Sequence, residues 1–562
     1  MATKITGGEA VYQRLKAAGI DTVFGLLGGS MLELYDALYN YGDIKYVGGR
    51  DERAAGHMAD AYARVTGKPG VVLGAQAGPG VVNLVTAVAE AQLAYSPLVV
   101  IAGAIQRSDL SKDTFQEVDQ VALFAPICKR SILVTDPNRL VDMVDDAMRL
   151  AMSGRRGVVV LHIPRDLFAA SVEAPGTKPI LLAQGGAPTP GHIDTIVQKL
   201  KGAKRPLIIA GGGMKWAEGS KSLAALSEAL DIPVVASTGH ADVLPTSHPL
   251  NAGQGGPRGN SVASGLTKNA DLLLVLGARL AFNSTFLSNE YINSKAEIIQ
   301  VDIEASSIGR YFPVVLGIQA DAKHAADAIL KQIKAQEVRG SNWSDWTEQF
   351  KSNRKALKVE RAEEAANPAN PMHPRRALGE IREALPDNAI VTLDTGNACL
   401  QAADRLKHEM TPGLITPLDF GLVGFGYAAA LGAKAAFPDR PVISIMGDGA
   451  FGFTMAEVTT AIRHDLPVIS IVMDNEAWGA EKAYQQTFFG GRLLGAEIKS
   501  PRYDDFARLC GAKGYAVNAP GELGPILLEA IASGEAAVIH VKIDPTALNA
   551  LRKDLFKQPS ED

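Results

Sequence analysis

Short, unbroken apolar runs recur along the chain, separated by stretches whose apolar positions return every three or four residues. The runs at 22–25, 70–74, 97–101, 157–163, 206–210, 271–276, 297–301, 388–393, 441–445 and 468–472 lack polar alternation. That is the signature of strands buried on both faces of a parallel sheet. Segments 8–18, 31–39, 320–330 and 454–464 carry helical spacing instead. Strand, helix and strand in succession predict βαβ units, whose right-handed crossovers put consecutive strands in one parallel sheet. The fold class expected is therefore α/β.

Breaks in the pattern divide the chain. A stretch rich in Pro, Gly and Ala spans 173–190, and a polar, Lys/Glu-rich helix is expected over 343–364. Asn367-Pro368-Ala369-Asn370-Pro371 closes that second connection. The boundaries expected are 1–175, 190–340 and 368–545, with a tail at 546–562 that turns from basic to acidic and belongs on the surface. A chain of 562 residues exceeds what one core normally organises, which agrees with three domains. Domains one and three share a strand-turn-helix style, yet no repeat is legible between them. In the middle domain Gly211-Gly212-Gly213 follows a strand, but no Gly-x-Gly-x-x-Gly follows, so a structural Rossmann-like domain without nucleotide is expected.

Composition narrows the partners. Net charge is −5 with no long basic block, which argues against nucleic acid or an anionic membrane. Cys128, Cys399 and Cys510 are odd in number and widely spaced, so reduced, structural thiols are expected. No apolar run has membrane-spanning length, and residues 1–8 lack the apolar stretch of a signal peptide, so the expected location is cytoplasmic.

The candidate chemistry lies in two stretches, Met446-Gly447-Asp448-Gly449-Ala450 and Met473-Asp474-Asn475-Glu476-Ala477. Each follows an apolar run of one βαβ unit, so Asp448 and Asn475 fall just past the carboxyl ends of their strands, where open α/β sheets bind ligands. A carboxylate, an amide oxygen and a main-chain carbonyl are hard donors that suit Mg²⁺ or Ca²⁺ rather than zinc. Mg²⁺ is commonly shared between few protein groups and phosphate oxygens, and Gly447 and Gly449 let backbone approach a phosphate. A tight Gly-Asp-Gly turn without ligand is the competing reading for the tripeptide alone.

Gly447-Asp448-Gly449 through Asp474-Asn475 resembles the motif of thiamin diphosphate enzymes, and the three-domain layout resembles their acetolactate synthase-like branch over nearly the whole chain. The resemblance implies three Rossmann-like parallel-sheet domains (pyrimidine-binding, central and diphosphate-binding), with thiamin diphosphate and Mg²⁺ as cofactors. It implies Asp448, Asn475 and the Ala477 carbonyl as metal ligands. The family usually has Asn where this chain has Asp474. Glu52, ahead of Ala54-Ala55-Gly56-His57-Met58-Ala59, falls where the family's activating glutamate meets the cofactor pyrimidine; read alone, it is a charge at a helix start. Pro79 and Asn83, Gly421 and Val423, Thr395, Gly396 and Asn397, and Gly447, Gly449, Ala450, Trp478, Gly479 and Ala480 match cofactor-contacting segments. Gln116 and Ser30 match positions facing substrate. The family also implies a homodimer or homotetramer whose active sites are shared between subunits.

The resemblance leaves the reaction open. Gly277-Ala278-Arg279-Leu280 departs from the flavin segment of biosynthetic acetolactate synthases, and Trp478-Gly479-Ala480-Glu481-Lys482 departs from their substrate loop. Trp478-Gly479-Ala480 with Gln485-Gln486 is similar to benzaldehyde lyase, whereas Trp478 through Lys482 resembles sulfoacetaldehyde acetyltransferase. The expected function is a C–C bond lyase or carboligase acting on 2-keto acids, hydroxyketones or aldehydes. The alternatives are acyl transfer to phosphate and a non-catalytic regulatory relative. No paired histidines offer acid–base chemistry; His57 and His464 fall inside helical patterns, where a structural role is expected.

Overall fold

A computed structural model describes residues 4–550, apart from 177, 339 and 418, with residue 341 described by its backbone alone. Three six-stranded parallel sheets account for the apolar runs. The first is ordered Lys45–Gly48, Thr22–Leu26, Gly70–Gly74, Leu98–Ala104, Val158–Pro164, Arg130–Leu133. The second runs Asn251–Gln254, Val234–Ala236, Pro206–Ala210, Leu272–Leu276, Glu297–Asp302, Leu316–Gln319. The third runs Leu414–Ile415, Ile390–Leu393, Val442–Gly447, Ile469–Asp474, Ala537–Lys542, Lys513–Val517. A small antiparallel pair, Lys4–Thr6 with Ser171–Glu173, stands apart.

Each predicted run is a strand, and burial explains why. All seven residues of Leu98–Ala104 and of Val158–Pro164 are buried. In the middle sheet Ile208, Leu272 and Leu274 enter one core while Leu207, Leu273 and Val275 enter another, so both faces are packed and no polar alternation survives. The six edge strands all escaped the apolar-run criterion. Arg130–Leu133 has no buried residue and Leu316–Gln319 only one, because an edge has fewer neighbours to cover it. Two interior strands, Val234–Ala236 and Ala537–Lys542, likewise fall outside the predicted runs; the first is only three residues long. The segment expected as one helix over 454–464 is a 3₁₀ turn, Met455–Glu457, followed by the helix Val458–Arg463.

Numbered within each domain, the first and third sheets share the order 2-1-3-4-6-5, while the middle sheet has the doubly wound order 3-2-1-4-5-6. The kinship between the first and third domains thus lies in topology, not in the residues. The chain divides into two compact units. One comprises residues up to Gln184 with 419–439 and 454–468; the other comprises the remainder. Of the tail, residues 551–562 lie outside the described part; Leu548 and Asn549 pack beside Gly479 and Asn397. Gly211 and Gly213 owe their identity to close packing: a Cβ at either would lie 2.6 Å from the backbone of Gly277.

Candidate cofactor site

The strand Val442–Gly447 ends at Gly447, and a short helix, Asp448–Gly452, begins at once. Asp448 is 1% exposed. Its Oδ2 accepts from the Ser500 hydroxyl at 2.7 Å, and its carbonyl accepts from Tyr503 Oη at 2.9 Å. The other carboxylate oxygen, Oδ1, is buried with no hydrogen-bond partner among the described residues. Burial, reinforced by Asp474 and opposed by the Ser500 hydroxyl, pushes this carboxyl up to about 7. A buried carboxylate with an unpartnered oxygen lacks a counter-charge, and a bound divalent cation would supply one. The residues present therefore fit a hard cation. The donor set would be one carboxylate, one amide and one carbonyl, and no cluster of three His, Cys, Asp or Glu forms among the described residues.

The neighbouring strand Ile469–Asp474 pairs with it in parallel, Gly447 opposite Met473. Asp474, at the usual asparagine position, has its own partners. Its Oδ2 lies 2.6 Å from Lys542 Nζ and 3.0 Å from His540 Nε2, and its Oδ1 accepts from the Glu476 N–H at 2.9 Å. Burial alone would raise this carboxyl; the His540 and Lys542 contacts hold it below the usual range. His540 Nδ1 accepts from the Tyr503 N–H at 3.2 Å, which leaves the ring proton on Nε2, facing Asp474. Tyr503 and His540 thus brace the two strand ends. After Asp474 the chain turns at Glu476 (φ 54°), and Ala477 bridges to Glu497.

Small residues bring the remaining predicted groups together. A Cβ at Gly449 would lie 2.7 Å from the Trp478 ring, so glycine lets the indole pack closely on the Asp448 helix. Gly479 packs between Asn475 Nδ2 and Asn397 Cβ. Asn397 Nδ2 donates to the Asn549 carbonyl at 2.6 Å, and the hydroxyl of Thr395 is buried without a partner among the described residues. Gly396 has open space beside it, as does Gly447. Ala450 is buried and Ala480 half-buried.

A second constellation occupies the first compact unit. Glu52 opens the helix Glu52–Thr66, capped by Asp51, whose side chain accepts from the Arg53 N–H at 2.7 Å. Asn83 Nδ2 donates to Glu52 Oε2 at 3.0 Å. The loop between them carries Pro79 and turns at Gly78 (φ 71°), where a Cβ would lie 2.3 Å from the Gln116 carbonyl oxygen. Gln76, not among the predicted site residues, joins the set: its Nε2 donates to Gln116 Oε1 and its Oε1 accepts from the Gly29 N–H. The buried Ser30 hydroxyl accepts from the Ala77 N–H at 3.1 Å, so it holds the loop from below. Gln120 Oε1 accepts from the Gly78 N–H at 2.9 Å, and Gln120 Nε2 faces His162 Nδ1 at 3.1 Å. Burial pushes His162 down to about 4, which keeps the ring neutral. Gly421 is exposed and Val423 half-buried, both in this unit. His57 is buried against Phe425, and His464 lies on the Gly48 backbone, as structural histidines do.

Sequence reading missed the supporting residues. Gln76 adjoins the Gly78-Pro79-Gly80 turn and was within reach; Ser500, Tyr503 and His540 are remote in sequence, and nothing local marks them.

Comparisons with known proteins point the same way. Three profiles match in order: the N-terminal TPP-binding domain of thiamine pyrophosphate enzymes at 5–123, their central domain at 193–329, and their C-terminal TPP-binding domain at 394–541. A sulfoacetaldehyde acetyltransferase of Alcaligenes xylosoxydans is 32% identical over 99% of this chain and 96% of its own length. A probable acetolactate synthase large subunit of Methanocaldococcus jannaschii is 31% identical over 96% and 92%. An acetolactate synthase large subunit of Haemophilus influenzae is 30% identical over 96% and 95%. With its three parallel sheets in this order, the chain belongs to the thiamine pyrophosphate enzyme family.

Proposed function

We propose that the protein is a thiamin diphosphate- and Mg²⁺-dependent enzyme that breaks or makes a C–C bond beside a carbonyl, on 2-keto acids, hydroxyketones or aldehydes. The observation that carries the reading is the buried, unpartnered oxygen of Asp448 at a strand end, with Asn475 one strand away. In this reading Asp448, Asn475 and the Ala477 carbonyl hold the cation, while Thr395, Gly396, Asn397, Gly447, Gly449 and Ala450 line the diphosphate. Glu52, positioned by Asn83, hydrogen-bonds the pyrimidine, with Pro79, Gly421 and Val423 around it. When bound, the cofactor supplies the carbanion sink. Gln116 and Ser30, tied through Gln76 and Ala77, orient substrate, with Trp478, Gly479 and Ala480 at its rim. Membership of the family supports a homodimer or homotetramer, with Glu52 and Asp448 of different subunits meeting in one site.

A second reading, acyl transfer to phosphate, draws on the similarity to sulfoacetaldehyde acetyltransferases. In that reading a sulfonate or phosphate could pair with the Lys482 ammonium, but this group already lies 3.0 Å from the Glu497 carboxylate. Turnover of pyruvate, benzoin, acetoin and sulfoacetaldehyde, with mass-spectrometric product detection with and without inorganic phosphate, decides between the two. An acyl phosphate formed only when phosphate is added would replace the lyase reading, and no product from any of the four would remove both.

A further inference from the structure

The helix Ser344–Ala365 connects the middle domain to the third, and Arg354, Lys358 and Arg361 follow one another along it at spacings of four and three. Residues so spaced share a face, and like charges there repel. Helix Pro374–Ala384 contributes Arg375 and Arg382, and helix Cys399–Arg405 ends in Arg405. All six cations line one cavity of about 430 Å³, within the usual range for small-molecule sites. Gly211–Gly213, Asp448 and Asn475 are not in its wall.

The charges in this wall do not balance. Arg375 and Arg405 share Glu364, and Arg361 pairs with Asp404. Glu409 accepts from the Ser247 hydroxyl, and Glu383 stands exposed at the rim. Against these four acids stand six cations. Among the described residues Arg354 donates only to main-chain carbonyls, those of Thr246, His248 and Pro249 at 3.0, 2.8 and 2.9 Å. Arg382 likewise donates to the carbonyls of Arg405 and Leu406 at 2.8 and 3.0 Å. Lys358 has no hydrogen-bond or ion-pair partner among the described residues, and Arg361 Nε is buried without one. The repulsion is felt: Arg354, then burial and Arg382, hold the Lys358 ammonium below its ordinary value, and burial followed by Arg382 lowers Arg354.

We infer that this cavity is a binding site for a small phosphate-bearing anion, separate from the cofactor and substrate groups. Guanidinium forks and a lysine point charge together match the oxygens of a phosphate. The volume admits an organic portion beside it, with Leu357 and Leu378 offering apolar wall. Because the lining comes from the middle domain, the connecting helix and the third domain, an occupant would brace the three segments together.

The test is isothermal titration of the holoenzyme, saturated with thiamin diphosphate and Mg²⁺ so that the diphosphate groups are filled. The probes are inorganic phosphate and 3-phosphoglycerate, with glucose as a neutral control. Saturable binding of either phosphate compound is expected, and which of them binds tells free phosphate from a phosphate ester. Lys358→Glu should weaken binding about tenfold or more, the scale of one lost charge-assisted hydrogen bond. Lys358 is exposed and makes no hydrogen bond, so the variant should fold. Lys355→Glu makes the same charge change on the same helix outside the cavity wall, and should leave affinity unaltered. Phosphate bound at the reacting centre as a substrate would be indifferent to both variants. No saturable binding, or equal effects of Lys355→Glu and Lys358→Glu, would overturn the inference.

Discussion

The first and third sheets have the same strand order, yet the loops at their strand ends hold different chemistry. In the first domain the groups past the strands are mostly neutral: Gln76, Gln116, Asn83 and Ser30, with Gln120 and a neutral His162 beside them, and Glu52 held by the Asn83 amide. In the third, Asp394, Asp448 and Asp474 are buried carboxylates at three neighbouring strand ends: Asp394 accepts from the Thr395 N–H, Asp474 is compensated by Lys542 and His540, and Asp448 has an oxygen left over among the described residues. Topology sets where loops converge; charge placed in them sets what each end can bind. On the proposed reading one end handles the pyrimidine and the other the cation and diphosphate.

The largest expected effect comes from removing Glu52 from the mostly neutral end. Glu52→Gln should lower turnover roughly 10²–10⁴-fold, the usual scale for a group managing a proton. Cofactor binding should be nearly unaltered, and NMR of cofactor C2–H exchange reads the difference; wild-type exchange in the variant would end the proposed role for Glu52. Mixing Glu52→Gln with Asp448→Asn subunits should restore part of the activity, because only a site shared between subunits leaves some sites free of both changes. Mixed oligomers that stay inactive would refute sharing.

At the charged end, Asp448→Asn should abolish Mg²⁺-dependent cofactor binding in a fluorescence titration, and chelating the cation from the wild-type protein should do the same reversibly. The cofactor-free variant should nevertheless melt at or above the wild-type temperature, because the buried, unpartnered charge is gone. A lower melting temperature would mean that Asp448 is a structural anchor.

A stability change of about 3 kcal/mol at most separates the ends by pH. His162 is held at about 4 folded and returns to an ordinary value near 6.5 unfolded, so the unfolded chain binds the extra proton between those values. Its contribution is full above pH 6.5 and is lost as pH falls toward 4. His162→Asn should flatten that part of the denaturation-midpoint profile by one proton; an unchanged slope would show that His162 opens to solvent. The smallest effect expected is from Gly78→Ala, about 1–3 kcal/mol, because φ is positive there and the Gln116 carbonyl occupies the Cβ position. Circular-dichroism melting checks it, and an unperturbed melt would show that the loop can yield.

The sequence by itself determined most of the sheet interiors and the identity of the principal groups. Strands packed on both faces must be apolar throughout, so runs such as Leu272–Leu276 announce themselves, and Gly447-Asp448-Gly449 and Asp474-Asn475 lie at strand ends by chain order alone. The tertiary structure decided what has no local cause. Edge strands such as Arg130–Leu133 and Leu316–Gln319 are thinly covered and carry no apolar signature, the edge strand Leu414–Ile415 is too short to show one, and the topological likeness of the first and third domains leaves no trace in residue pattern. Nor does any local pattern join Ser500, Tyr503 and His540 to Asp448 and Asp474, or gather Arg354, Lys358 and Arg382 around one cavity. Those groups meet only because the fold closes distances that the chain leaves long.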